Sequence, residues 1–174
     1  MNRADPEVAF YRALLRGTLV NPPGEFKSDL LDAMRRMTSK WMVALWRPFM
    51  TRETYDLFKS FVIPVVEMYL EKDAQGIDWF FYDAPLAMLF YTSAYGDPAD
   101  PVIAATYAML AAESLGLGSC MLGFPAHVVK HTKEIRKKYQ LPAKLVPGVC
   151  IIFGYPAVRY RRALRRRLAN VQHY

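Results

Sequence analysis

Residues 97–124 read DPADPVIAATYAMLAAESLGLGSCMLGF, and the reading of this stretch decides the fold. It predicts one long helix that stops at glycine and passes into a short strand ending in another glycine. Asp100 suits the N-cap, and Pro101 suits the first turn, where a missing N–H costs nothing. From 102 to 115 there is no Gly or Pro, and alanine recurs at Ala104, Ala105, Ala108, Ala111 and Ala112. Alanine favours helix and lets neighbouring backbones approach closely. Gly116 and Gly118 are expected to end the helix by allowing positive φ. Almost every face is apolar, so burial is expected, either inside a domain or between two subunits. The shortness of the run, with Glu113 and Ser114 near its end, speaks against a membrane span.

Downstream, the pattern predicts a strand over 119–122, a helix over 125–139 and a buried strand over 149–153, closed by Gly154-Tyr155-Pro156. Upstream, the near-continuous apolar run 86–91 suits a strand covered on both faces. The first half reads as helices over 5–17, 26–46 and 52–73, with a break at Asn21-Pro22-Pro23-Gly24 and a kink at Pro64. Helices first, then strand, helix, strand, helix, strand, predicts an α+β domain with three α/β/α layers. No repeat or linker divides the chain. The expectation is a single domain over 1–174, with a helical lead-in over 1–76 and an α/β core over 77–174.

The chain has 174 residues, enough to bury a real core, and 53% of them are hydrophobic. Cys120 and Cys150 both sit in apolar runs and read as buried free thiols in a reducing compartment. The opening MNRADPEVAF lacks the apolar core of a signal peptide, so a cytoplasmic protein is expected. The formal net charge of +7 is local. Arg159, Arg161, Arg162, Arg165, Arg166 and Arg167 fall within nine residues, and without these six the balance is 7 − 6 = +1. The basicity therefore belongs to one segment.

From about residue 78 onward the chain resembles the FMN-dependent nitroreductase family. Four pieces carry the resemblance in the family's order: FYDAPLAMLFY, DPVIAATYAMLAAESLGLG, SCMLGF, and LPAKLVPGVCIIFGYP followed by arginines. The arginine-rich ending is similar to the branch often fused to a ferredoxin-like domain. Two cysteines cannot ligate a four-cysteine iron–sulfur cluster. The family usually opens with an Arg-Arg-Ser type motif and a Pro-Ser/Thr-x-x-Asn segment that grip FMN, and neither is found in 1–76. RRMTSKW at 35–41 has suitable residue types but lies in a helical pattern. The resemblance therefore implies either an N-terminally truncated chain or a natural short relative.

The resemblance implies a three-layer fold with a central mixed sheet around the long buried helix. It also implies a homodimer with flavin at the subunit boundary. Met121, Leu122 and Gly123 are the residues it places against the FMN ring, with a backbone N–H aimed at flavin N5. It assigns the FMN phosphate to Arg165 and Arg166, whose forked guanidinium groups match phosphate geometry. Reduced nicotinamide or another donor would supply electrons, and a small-molecule acceptor such as a nitro compound or quinone would receive them. No side chain is required as acid or base, because the cofactor carries the chemistry.

Plainer readings stand beside these. The turn at 118–123 also reads as an ordinary strand end. The arginine run also reads as a solvated basic turn or a phosphate-neutralising nucleic-acid contact, though no nucleic-acid module accompanies it. His127 and His131, at i and i+4, read as surface residues and as a poor metal pair without a carboxylate nearby. The rival to a flavin enzyme is a truncated, non-catalytic homodimer with a basic anion-binding edge.

Overall fold

The computed structural model of the protein describes residues 16–20 and 23–158. Strand β1 (Arg16–Val20) is followed by helices α1 (Pro23–Met37) and α2 (Lys40–Trp46) and a 3₁₀ turn over Arg47–Phe49. Helix α3 (Arg52–Leu57) runs through a π-helical segment (Phe58–Val62) into α4 (Ile63–Ala74). Then come β2 (Leu86–Ser93), α5 (Asp100–Ser114), β3 (Gly118–Leu122), α6 (Gly123–His131), α7 (Lys133–Lys138) and β4 (Leu145–Gly154).

The strands pair in the order β1-β2-β4-β3. Each described ladder is antiparallel, where a mixed sheet was expected. The reason is the placement of β4. It lies between β2 and β3, so those two strands run the same way but never touch. Side-chain alternation sorts the sheet into two faces. Ala87, Leu89, Tyr91, Cys150 and Ile152 point to one side, against a cluster that includes Phe26, Leu30, Met34, Val66 and Val129 from the helices. Phe90, Val149, Ile151 and Phe153 point to the other, against Ala105 and Ala112 of α5. The expected α+β architecture with helices on both faces is what the chain adopts.

Several boundaries differ from expectation for local reasons. Residues 16–17 are strand, paired with β2, rather than the end of a helix; residues 5–15 of that helix lie outside the described residues. The helix expected over 26–46 breaks at Thr38 and Ser39. Thr38 Oγ1 donates to the Met34 carbonyl at 2.9 Å, and the Ser39 hydroxyl accepts from Met42 N at 3.4 Å, capping a new helix. The helix expected over 125–139 breaks at Thr132, which is extended. There the Arg136 guanidinium donates to the carbonyls of Val129 and Lys130, satisfying the end of α6. At Pro64 a π-helical segment stands just before the proline. It cannot donate to Ser60, and the backbone responds with the π-helical turn just before it.

The central helix also needs correction. Asp100 lies inside its first turn. Ala99 is the cap residue, and Asp97 accepts from Ala99 N at 2.8 Å. Gly116 alone takes positive φ (74°), while Gly118 begins β3. Burial is partial: Pro101, Ala105 and Ala112 are covered, yet Tyr107 is 70% and Leu110 63% exposed. The N-terminal end is the tight one. A Cβ on Gly148 of β4 would lie 2.4 Å from Pro101 Cβ and 3.1 Å from the Phe90 carbonyl oxygen.

Cys150 is buried as expected, and burial pushes its thiol up to about 12. Cys120 is exposed, contrary to expectation. It sits on β3, the last strand of the sheet order, with a neighbour on one side only among the described residues.

Candidate functional site

The turn from β3 into α6 joins two kinds of backbone. Leu122 pairs with Cys150 in the sheet and is extended (φ −117°, ψ 118°). Gly123 is already helical. Among the described residues no side chain caps α6, and Pro125 in its first turn has no N–H. The Gly123 and Phe124 N–H groups therefore stand at the positive end of the helix dipole without a side-chain acceptor. Around Gly123 the space is open, with nothing within 4 Å of where a Cβ would be.

That opening leads into a cavity of about 590 Å³ between α1, the π-helical segment and α6. Its walls include Met34, Met37, Leu57, Phe58, Phe61 and Phe124, and among the described residues no Lys or Arg lines it. A wider cavity of about 920 Å³ lies against it. Met37, Thr54, Phe58 and His127 line both, forming the partition. The second cavity adds Trp46, Met42 and Met50 and a charged rim with Asp32, Arg36 and Glu134. At one edge, Lys138 Nζ meets Glu25 and Asp29 at 2.7 Å each, and Tyr139 OH donates to Asp29 at 2.7 Å. Burial pushes the Asp29 carboxyl up, but the bonds from Lys138 and Tyr139 outweigh it and hold it below the usual range.

Of the residues singled out from sequence, Gly123 lines the first cavity. Leu122 is half-buried and packs against the core. Met121 is 41% exposed on β3. Arg165 and Arg166 lie outside the described residues. His127 and His131 share a helix face as expected, are exposed, and face the second cavity. The walls contributed by α1 and the π-helical segment were missed. Phe58 and Phe61 recur at helical spacing and read as ordinary core, yet Phe61 is 52% exposed and lines a cavity. The one available signal was Pro64, which distorts the turn carrying them.

Among the described residues no helix is long and apolar enough to cross a membrane.

The family model described as "Nitroreductase family" matches residues 25–155. Comparison with curated proteins returns no match. Among solved structures, the fold is similar to a nitroreductase with bound FMN from Bacteroides fragilis NCTC 9343. The TM-score is 0.58 and the identity 14%, over 92% of this chain and 76% of that one. It is also similar to a BluB-like flavoprotein from Clostridium difficile 630, with TM-score 0.56 and 11% identity over 88% and 76% of the two chains. A nitroreductase with bound FMN from Desulfitobacterium hafniense DCB-2 gives TM-score 0.53 and 16% identity over 94% and 79%. With the family model spanning most of its length and the same fold recurring in these structures, the chain belongs to the Nitroreductase family.

Proposed function

We propose that this chain is an FMN-dependent oxidoreductase whose flavin lies against the Leu122–Gly123 peptide. One observation carries the reading: the uncapped start of α6 opens, at Gly123, onto an apolar cavity of about 590 Å³. The fold relatives from Bacteroides fragilis and Desulfitobacterium hafniense carry bound FMN.

The residues present fit a flat ring system. Phe58, Phe61 and Phe124 supply apolar faces that exclude water. Gly123 lets a ring approach the backbone where a side chain would stand in the way. The Gly123 and Phe124 N–H groups can donate to a ring acceptor atom, with Met121 and Leu122 holding the strand end in place. Bound FMN would supply hydride transfer at N5. Among the described residues a phosphate finds no Lys or Arg in the cavity wall. That task falls to Arg165 and Arg166. Reduced nicotinamide or another reductant is the donor, and a nitro compound, quinone or similar small molecule the acceptor. The protein works as a cytoplasmic homodimer, in which a second copy covers the apolar face of α5.

FMN titration tests this reading. Saturable quenching of flavin fluorescence at one FMN per chain supports it. Protein that is colourless and takes up no added FMN overturns it. One rival is a non-catalytic homodimer with a basic anion-binding edge. That rival predicts no flavin quenching, together with heparin binding that weakens steeply with salt.

A further inference from the structure

The objection to His127 and His131 as metal ligands was the lack of a carboxylate near them in sequence. The fold brings carboxylates to the same cavity. His127, His131 and Glu134 line one cavity together, and Asp32 of α1 lines the same cavity. The two imidazole ring centres are 4.7 Å apart, with the planes inclined at 46°. An ion about 2.0–2.1 Å from one nitrogen of each ring holds ring centres roughly 4.5–5 Å apart. The observed spacing falls in that range before any ion is bound.

We propose that His127 and His131 form a two-imidazole chelate for a borderline divalent cation such as Cu²⁺, Ni²⁺ or Zn²⁺, at the mouth of the 920 Å³ cavity. Imidazole pairs one helical turn apart suit such ions, whereas Mg²⁺ and Ca²⁺ require oxygen ligands. Both residues are exposed, so an ion reaches them from solvent.

Among the described residues no three His, Cys, Asp or Glu groups stand together as a complete metal site. The chelate is therefore open. Two positions go to the imidazoles, and the rest go to water or to an anionic ligand in the cavity. Glu134 and Asp32 line the same cavity. The site borders the cavity at Gly123, which His127 also lines.

The test is calorimetric titration of the full chain with CuCl₂, NiCl₂ and MgCl₂. A Cys120→Ser background removes the exposed thiol as a competing ligand. The proposal predicts one Cu²⁺ per chain, weaker binding of Ni²⁺ in the usual order, and no heat from Mg²⁺. His127→Ala and His131→Ala should each weaken Cu²⁺ binding about tenfold or more, and His131→Gln should do the same with an unchanged circular dichroism spectrum. His173→Ala should leave it unchanged. Absence of saturable binding below about 100 µM overturns the proposal, as does parent-like affinity in either alanine variant. Loss of binding on changing His173 also overturns it.

Discussion

Helices α1 and α5 are equal in length and lie on opposite faces of the same sheet, yet they are finished differently. Helix α1 is amphipathic. Phe26, Leu30, Leu31, Ala33 and Met34 are all buried, and its charged residues face outward. Helix α5 is apolar on every side, and the sheet covers only one of those sides. Tyr107, Leu110, Ile103 and Val102 remain exposed. A helix with one apolar stripe needs one neighbour, and a helix apolar all round needs a second. Among the described residues, α1 is complete and α5 is half-covered.

The largest effect that could break this contrast lies in α1. Phe26 is fully buried and meets Tyr139 edge-on at 5.0 Å. Phe26→Ala should cost about 3–5 kcal/mol, read as a shift in the denaturant midpoint. A cost below about 1 kcal/mol would mean that the α1 layer is not the firm one.

Next comes the buried end of α5. A methyl at Gly148 collides with Pro101 and the Phe90 carbonyl, neither of which has a flexible end to move. Gly148→Ala should destabilise by about 1–3 kcal/mol in thermal unfolding. A neutral result would show that α5 sits further from the sheet.

A smaller effect tests what ties α1 to α7. Asp29→Asn removes the charge that Lys138 and Tyr139 engage and should cost about 1 kcal/mol at pH 7. The folded-state pKa of Asp29 is lowered. Its contribution is therefore present above the unfolded carboxylate pKa of about 3.9 and is lost as pH falls through the lower folded value. The difference in stability between parent and variant should shrink over that acid range. A gap that persists below it would contradict the assignment.

The smallest effect on the fold sharpens the contrast most. Leu110→Ser on the exposed side of α5 should change the stability of a lone chain by no more than about 0.5 kcal/mol. If a second copy covers this side, the same change should shift sedimentation towards the monomer. Unchanged sedimentation at every concentration would remove α5 from the proposed interface.

The same contrast explains what the sequence revealed. The alanine-rich run, Gly116 and the two apolar strand segments announce α5, β2 and β4, because long periodic stretches leave few alternatives. Breaks set by single side chains were hidden. Ser39 ends one helix and starts another through one hydroxyl, and Arg136 closes α6 from seven residues away. The antiparallel ladders were hidden too, since strand order depends on where β4 inserts rather than on any local pattern. At the site, Gly123 was legible through glycine and a strand end. The aromatic wall at Phe58 and Phe61 was not, because its spacing is that of ordinary core.

The account rests on the open turn at Gly123, and one substitution tests it directly. A Cβ there meets nothing within 4 Å among the described residues and the position needs no positive φ, so Gly123→Val should leave thermal stability nearly unchanged. It should also push the flavin off the strand end. The account predicts saturable FMN quenching for the parent and binding about tenfold or more weaker for the variant. Equal FMN affinity in both proteins, or none in either, would contradict it.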